Sequence, residues 1–185
     1  MGDHGWKLGE YGSWCKHTNF EMDARAPLFV KVPGMDNAEA KTEALAEFID
    51  VYPTLCELAG LPQPAHLQGT SLAPVLTDPT AEVNNVAFSQ YPRGKSLDYD
   101  RKKEIMGYSI RKGNYRFTRW QQYENPDSVV ARELYDVSVG PVANTNLALN
   151  PDFKATIDEY NKIMDAELAK HQEEESKMIK LLGKD

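Results

Sequence analysis

From residue 84 onward the chain alternates side-chain character in four short runs, "NVAFSQY", "IMGYSIR", "NYRFTRW" and "RELYDV". A period of two predicts strands that pack one side and turn the other outward. Lys112-Gly113 separates the second and third runs, a hairpin signal, so these two are expected as antiparallel neighbours. Behind them, "NPDFKATIDEYNKIMDAELAKHQEEESKMIKLLG" opens with Asn150 as a helix N-cap and Pro151 at the first helical position. Ile157, Tyr160, Met164 and Leu168 recur at helical spacing, and the stripe lapses from Lys170 to Lys177. A small antiparallel sheet packed with a C-terminal helix is the frame that everything else must fit.

The first eighty residues are of another kind. "APLFVKVPG" predicts a short buried strand over Leu28–Val32, stopped by Pro33-Gly34. "FIDVYPTLCELAGLP" predicts a helix with Asp50 as N-cap, Pro53 in the first turn, and Gly60 and Pro62 ending it. Leu55, Leu58 and Ala59 give that helix an apolar side, expected to cover a sheet face. Leu72–Leu76 is an apolar anchor in a proline-rich stretch. This order fits α+β, or the tail of an α/β domain followed by a small sheet.

Bulk properties exclude some functions. A net charge of −7 argues against general nucleic-acid binding. No run reaches the ~18 apolar residues of a membrane span. The first residues lack a charged-then-apolar signal pattern, so no export signal is expected in this chain and its compartment stays open. Cys15 and Cys56 lie in unlike contexts and make no disulfide framework; Cys56 is expected as a buried thiol, and Cys15 carries no assigned role.

Chemistry concentrates in "GDHGWKLGEYGSWCK", residues 2–16. Adjacent Asp3 and His4 can share one ion only on irregular backbone, and Gly5 permits the bend. A turn with a hydrogen-bonded histidine is the other reading, and spacing alone selects no metal. Lys16 and His17 end the same glycine-punctuated loop, which also holds Glu10; a lysine there can act as a point charge on sulfate or phosphate. Between residues 92 and 120, nine Lys or Arg stand against three Asp or Glu. They form either exposed sheet faces or a rim that attracts an anionic substrate. Tyr91, Tyr99, Trp120 and Tyr123 nearby could stack on sugar rings or pack in a core.

"DHGWKLGEYGSWCK" resembles the second metal-binding loop of the formylglycine-dependent sulfatases, approximately D-[HN]-G-x-x-[LF]-G-[ED]-x-x-x-x-x-K. "APLFVKVPG", "DVYPTLCELAGLPQPAHLQGTSLAPVL" and "LYDV" follow in that family's order. "FSQYPRG" and "IMGYSIRKGNYRFTRW" resemble its iduronate-2-sulfatase-like branch. The resemblance runs from residue 2 to about residue 149. It implies an α/β, alkaline-phosphatase-like fold, of which this chain is the C-terminal portion: residues 1–80 the end of the catalytic domain with the end of its large sheet, residues 81–185 a subdomain of antiparallel strands and terminal helix.

The resemblance further implies that Asp3 and His4 supply half the ligands of one calcium ion. Lys16 would contact the substrate sulfate as a catalytic group, and Trp6 would line the pocket. The family's nucleophile is a hydrated formylglycine made in a Cys/Ser-x-Pro/Ala-x-Arg motif. Cys15 and Cys56 read "CKHTN" and "CELAG", so that nucleophile and the first pair of metal-binding aspartates are expected in a missing N-terminal part. The family's late turn usually carries acidic residues where Gly140 and Ala143 stand here. Family members are typically exported or lysosomal. The expected function is a sulfuric ester hydrolase acting on a sulfated saccharide, with the 185-residue chain inactive alone. The alternatives are a non-catalytic subunit or sulfated-glycan-binding remnant, and a phosphoester or phosphonate hydrolase of the same superfamily.

Overall fold

The computed structural model describes residues 1–36, 39–93, 105–123, 125 and 127–181. All four expected strands form: β3 (Ala87–Arg93), β4 (Ile105–Lys112), β5 (Tyr115–Gln122) and β6 (Val129–Asp136), preceded by a two-stranded ribbon, β1 (Lys7–Leu8) with β2 (Trp14–Cys15). The four pair as an antiparallel meander in the order β3-β4-β5-β6. The β4–β5 turn falls on Gly113-Asn114, one residue later than expected: Lys112 stays in the ladder opposite Tyr115, and Gly113 takes the positive φ of 52° the turn needs.

The register explains the core. Phe88 faces Ile110, Ile110 faces Phe117, and Phe117 faces Leu134, making one apolar row across the sheet. The helix α4 (Lys154–Leu181) lays Ile157, Tyr160 and Met164 on that row, with Leu168 at its edge. Burying each large side chain contributes roughly 1.5–3 kcal/mol. Asn150 caps as expected, its side chain accepting the Asp152 N–H at 3.0 Å, although the first turn, Pro151–Phe153, is 3-10.

Before the sheet come α1 (Glu21–Ala24), α2 (Val51–Leu58) and α3 (Ala73–Thr77). The helix expected after residue 50 is there, with Pro53 in its first turn and Gly60 at φ 65° closing it. Asp50 stands at the N-cap position as expected, but its side chain caps no N–H of this helix. Its buried carboxylate accepts the N–H groups of Glu47 and Thr70 and the Asn84 side chain, each at 2.8 Å, and so ties three segments together. The apolar side of α2 is also reversed from expectation: Tyr52, Leu55 and Leu58 are exposed, while Pro53, Thr54 and Cys56 are buried. The expected strand over Leu28–Val32 has no ladder partner among the described residues, and a strand exists only through its neighbour's hydrogen bonds. Among the described residues, no helix is long and apolar enough to cross a membrane.

Candidate functional site: the Asp3-His4-Lys16 loop

The β1–β2 ribbon sets the site. Lys7 pairs with Cys15 and Leu8 with Trp14, so the chain doubles back and brings Lys16 to His4. Three positive-φ residues make the reversal: Gly9 at 127°, Tyr11 at 58° and Gly12 at 63°. Glu10 serves this turn and not the site. Its carboxylate accepts the Leu8 N–H at 2.6 Å, and that bond, then its own N–H, holds its pKa below the ordinary value.

His4 Nδ1 lies 2.7 Å from the Gly5 carbonyl oxygen, so Nδ1 is the protonated nitrogen. Nε2 then accepts from the Lys16 ammonium at 2.5 Å, with an Asp3 carboxylate oxygen 3.4 Å away. The structure therefore brings together the three residues singled out in the sequence, on the wall of a broad open groove. Trp6 stands half-exposed beside them, its ring centroid 6.1 Å from that of His4.

Lys16 sits between two non-glycine residues with left-handed backbone, Cys15 at φ 67° and His17 at φ 80°. Such conformations cost of order 1–3 kcal/mol each and persist where the surroundings over-determine them. Here the ladder holds Cys15, and His17 stacks flat on Tyr91, 5.4 Å between centroids and 5° between planes.

Sequence reasoning missed the groups that hold this loop. Lys7 is fully buried against Asp23, which also accepts the Thr18 hydroxyl. Asn19 donates to the Gly107 carbonyl at 3.1 Å. Glu21 takes Arg116 Nε at 2.7 Å and Arg111 Nε at 3.5 Å, both from the sheet. Burial pushes the Arg116 guanidinium below its ordinary pKa and Glu21 opposes that shift. Tyr11 stacks on Phe20 at 4.1 Å, Phe20 meets Tyr135 edge-on at 5.7 Å, and the Tyr11 hydroxyl donates to the Pro141 carbonyl at 2.8 Å. None of these residues forms a motif along the chain; their partners lie up to 130 positions away.

Among the described residues, the basic side chains of the 92–120 stretch are already engaged. Arg111 and Arg116 are spent on Glu21, Arg119 on Asp165 at 2.6 Å, Lys112 on Glu159 at 3.1 Å, and Arg93 lies over the Trp120 ring at 4.6 Å. Lys95, Arg101, Lys102, Lys103 and Tyr99 lie outside the described residues. Trp120 is buried, which assigns it to packing. Cys15 is exposed and Cys56 buried, both as free thiols.

One carboxylate and one imidazole converge closely enough to share a cation. Calcium takes six to eight oxygen ligands, and among the described residues no group of three or more His, Cys, Asp or Glu is placed to hold a metal. The donor set fits half of such a site.

The meander sheet thus carries a long helix on one face and the aspartate-histidine-lysine loop on the other. The profile of the family N-sulphoglucosamine sulphohydrolase, C-terminal, matches residues 9–174, and the chain belongs to that family. Iduronate 2-sulfatase of Mus musculus is 31% identical over 204 residues, covering 78% of this chain and 37% of the relative. Arylsulfatase K of Rattus norvegicus is 28% identical over 160 residues, covering 85% and 27%. The chain thus spans about a third of the length of these curated relatives. The solved structure of BT4656 in complex with its substrate D-glucosamine-2-N,6-O-disulfate superposes with a TM-score of 0.73, covering 92% of this chain and 33% of that one at 24% identity, which establishes the shared fold.

Proposed function

We propose that this chain supplies the C-terminal part of an iduronate-2-sulfatase-like sulfuric ester hydrolase that removes sulfate from a sulfated saccharide. In this reading residues 1–80 complete the catalytic domain and residues 81–185 form its C-terminal subdomain. The observation that carries it is the convergence of Asp3, His4 and Lys16 within 3.4 Å at the groove wall. Family membership and the substrate of the structural neighbour support it.

Lys16 brings an ammonium that can donate to a sulfate oxygen and offset its charge. The Gly5 carbonyl fixes the His4 tautomer, leaving the Nε2 lone pair to accept from Lys16, with the Asp3 carboxylate 3.4 Å away. Asp3 and His4 would hold half the shell of a calcium ion, which when bound neutralises sulfate oxygens and polarises the ester. Trp6 would present an apolar wall to the saccharide. The nucleophile belongs to the remainder of the enzyme, so the 185-residue chain binds without turning over.

Titration with inorganic sulfate at low salt tests the site. Lys16→Ala should weaken binding about tenfold, the worth of one charge-assisted hydrogen bond. Asp3→Asn should weaken calcium binding. Unchanged sulfate affinity in Lys16→Ala overturns the site, and turnover of an aryl sulfate by the chain alone overturns its inactivity. Phosphate bound more tightly than sulfate would favour a phosphoester hydrolase.

A further inference from the structure

A lysine ammonium taken wholly out of water carries a large desolvation cost, and an apolar pair of similar volume usually serves stability as well. Lys7 is nonetheless fully buried, its ammonium on one oxygen of the buried Asp23 carboxylate and 3.3 Å from Thr18 Oγ1. The other oxygen of Asp23, Oδ1, is buried without a hydrogen-bond partner, so the arrangement is not the cheapest way to fill the space.

Its position gives the reason. Asp23 also accepts, through its main-chain carbonyl, the Gly5 N–H at 2.8 Å, one residue from His4. A Cβ on Gly5 would stand 1.6 Å from the Met22 carbonyl oxygen, so the loop lies flat on α1 there. The main chain of Lys7 pairs with Cys15, the neighbour of Lys16. One residue therefore grips the chain beside His4 through its carbonyl and, through its carboxylate, grips the ladder that carries Lys16.

We propose that Asp23 and Lys7 are positioning residues for the candidate site, fixing the placement of His4 against Lys16. This rests on the reading of that site as a sulfate site. Neither residue touches the substrate; the pair sets the geometry in which the others do.

The test uses the full chain with Asp23→Asn, Lys7→Met and the double variant Lys7→Met/Asp23→Leu, read by hydrogen exchange and by titration with inorganic sulfate. In each, exchange over residues 2–17 should rise about tenfold while residues 105–122 keep their protection, because opening of the loop is local. The double variant separates positioning from stability. It leaves no unpaired buried charge, so its melting temperature should recover relative to the single variants, yet exchange over 2–17 should stay fast and sulfate affinity low. Restored slow exchange in the double variant would show that the pair only packs, and overturns the proposal. So does unchanged exchange over 2–17 in both single variants. Sulfate affinity lost in Lys16→Ala but kept in Asp23→Asn overturns the positioning role and leaves the site standing. Affinity that ignores Lys16→Ala, or no sulfate binding at all, removes the site and the positioning role with it.

Discussion

The two faces of β5 are covered by different chemistry. On one side Phe117 meets Ile157, Tyr160 and Met164 of α4 in an apolar layer. On the other, Arg116 and Thr118 meet Glu21 and the Ser109 hydroxyl, while Gly107 on the neighbouring strand takes Asn19. Apolar burial is non-directional and tolerates small shifts, whereas charged and hydrogen-bonded contacts fix position at greater desolvation cost. The sheet is thus held together from the α4 side, and the loop bearing Asp3, His4 and Lys16 is held in place from the other.

The largest test of this division is Phe117→Ala. Its ring is fully buried and packs edge-on against Tyr160 at 5.9 Å, so truncation should cost about 3–5 kcal/mol. Urea unfolding followed by several probes should shift as one transition. Arg116→Met comes next. It strands the Glu21 carboxylate in the interior, and removing one partner of a buried pair costs about 3–5 kcal/mol; Arg111 at 3.5 Å offsets part of that, so about 3 kcal/mol is expected. Amide exchange should show the loss concentrated in residues 2–25. A loss spread evenly over the sheet would break the comparison.

What the sequence disclosed follows the same line. The α4 side was legible because apolar residues at periods of two and 3.6 announce both a strand and a helix face, as with Phe117, Ile157 and Met164. The site loop was legible as a candidate from Asp3, His4 and Lys16, and its metal and sulfate roles only through its resemblance to a known motif. Its supports were not, because Lys7, Asp23, Glu21 and Arg116 read as ordinary solvated charges until the fold pairs them across long separations. For the same reason Arg116 and Arg119 read, along the chain, as part of an anion-attracting rim, although the fold pairs them with Glu21 and Asp165. Asp50 stands at a helix start, which the local pattern shows, whereas the partners of its carboxylate at Thr70 and Asn84 come from outside any local pattern.

Two smaller effects probe each face separately. Gly107→Ala would place a Cβ 2.4 Å from Asn19 Nδ2 and 2.5 Å from the Trp120 ring, so an overpacking cost of about 1–3 kcal/mol should appear with loss of the Asn19 bond. Tyr160→Phe removes the 2.6 Å bond to the Lys112 carbonyl, costing about 1 kcal/mol at neutral pH. Burial pushes the Tyr160 phenol up to about 12, from an ordinary 10.0. Between those values the unfolded chain sheds a proton that the folded chain keeps, so stability falls as pH rises. Denaturation curves from pH 9 to 12 should show a shallower fall in Tyr160→Phe. Part of the slope should persist, because burial also holds Tyr135 at about 12.

The smallest predicted effect concerns a surface that joins neither face of β5. Leu55, Leu58 and Ala59 form the side that the sequence assigned to covering a sheet, yet Leu55 and Leu58 are exposed and α2 buries its other side, through Pro53, Thr54 and Cys56. Leu55 is 59% exposed, so Leu55→Ser removes little buried area and should change stability by less than about 0.5 kcal/mol. Urea unfolding of the 185-residue chain measures this directly. A loss above about 1 kcal/mol, the scale of buried methylene groups, would show the Leu55 side covered in solution. It would also place α2 with the apolar architecture of α4 and not with the charged framework around the site loop.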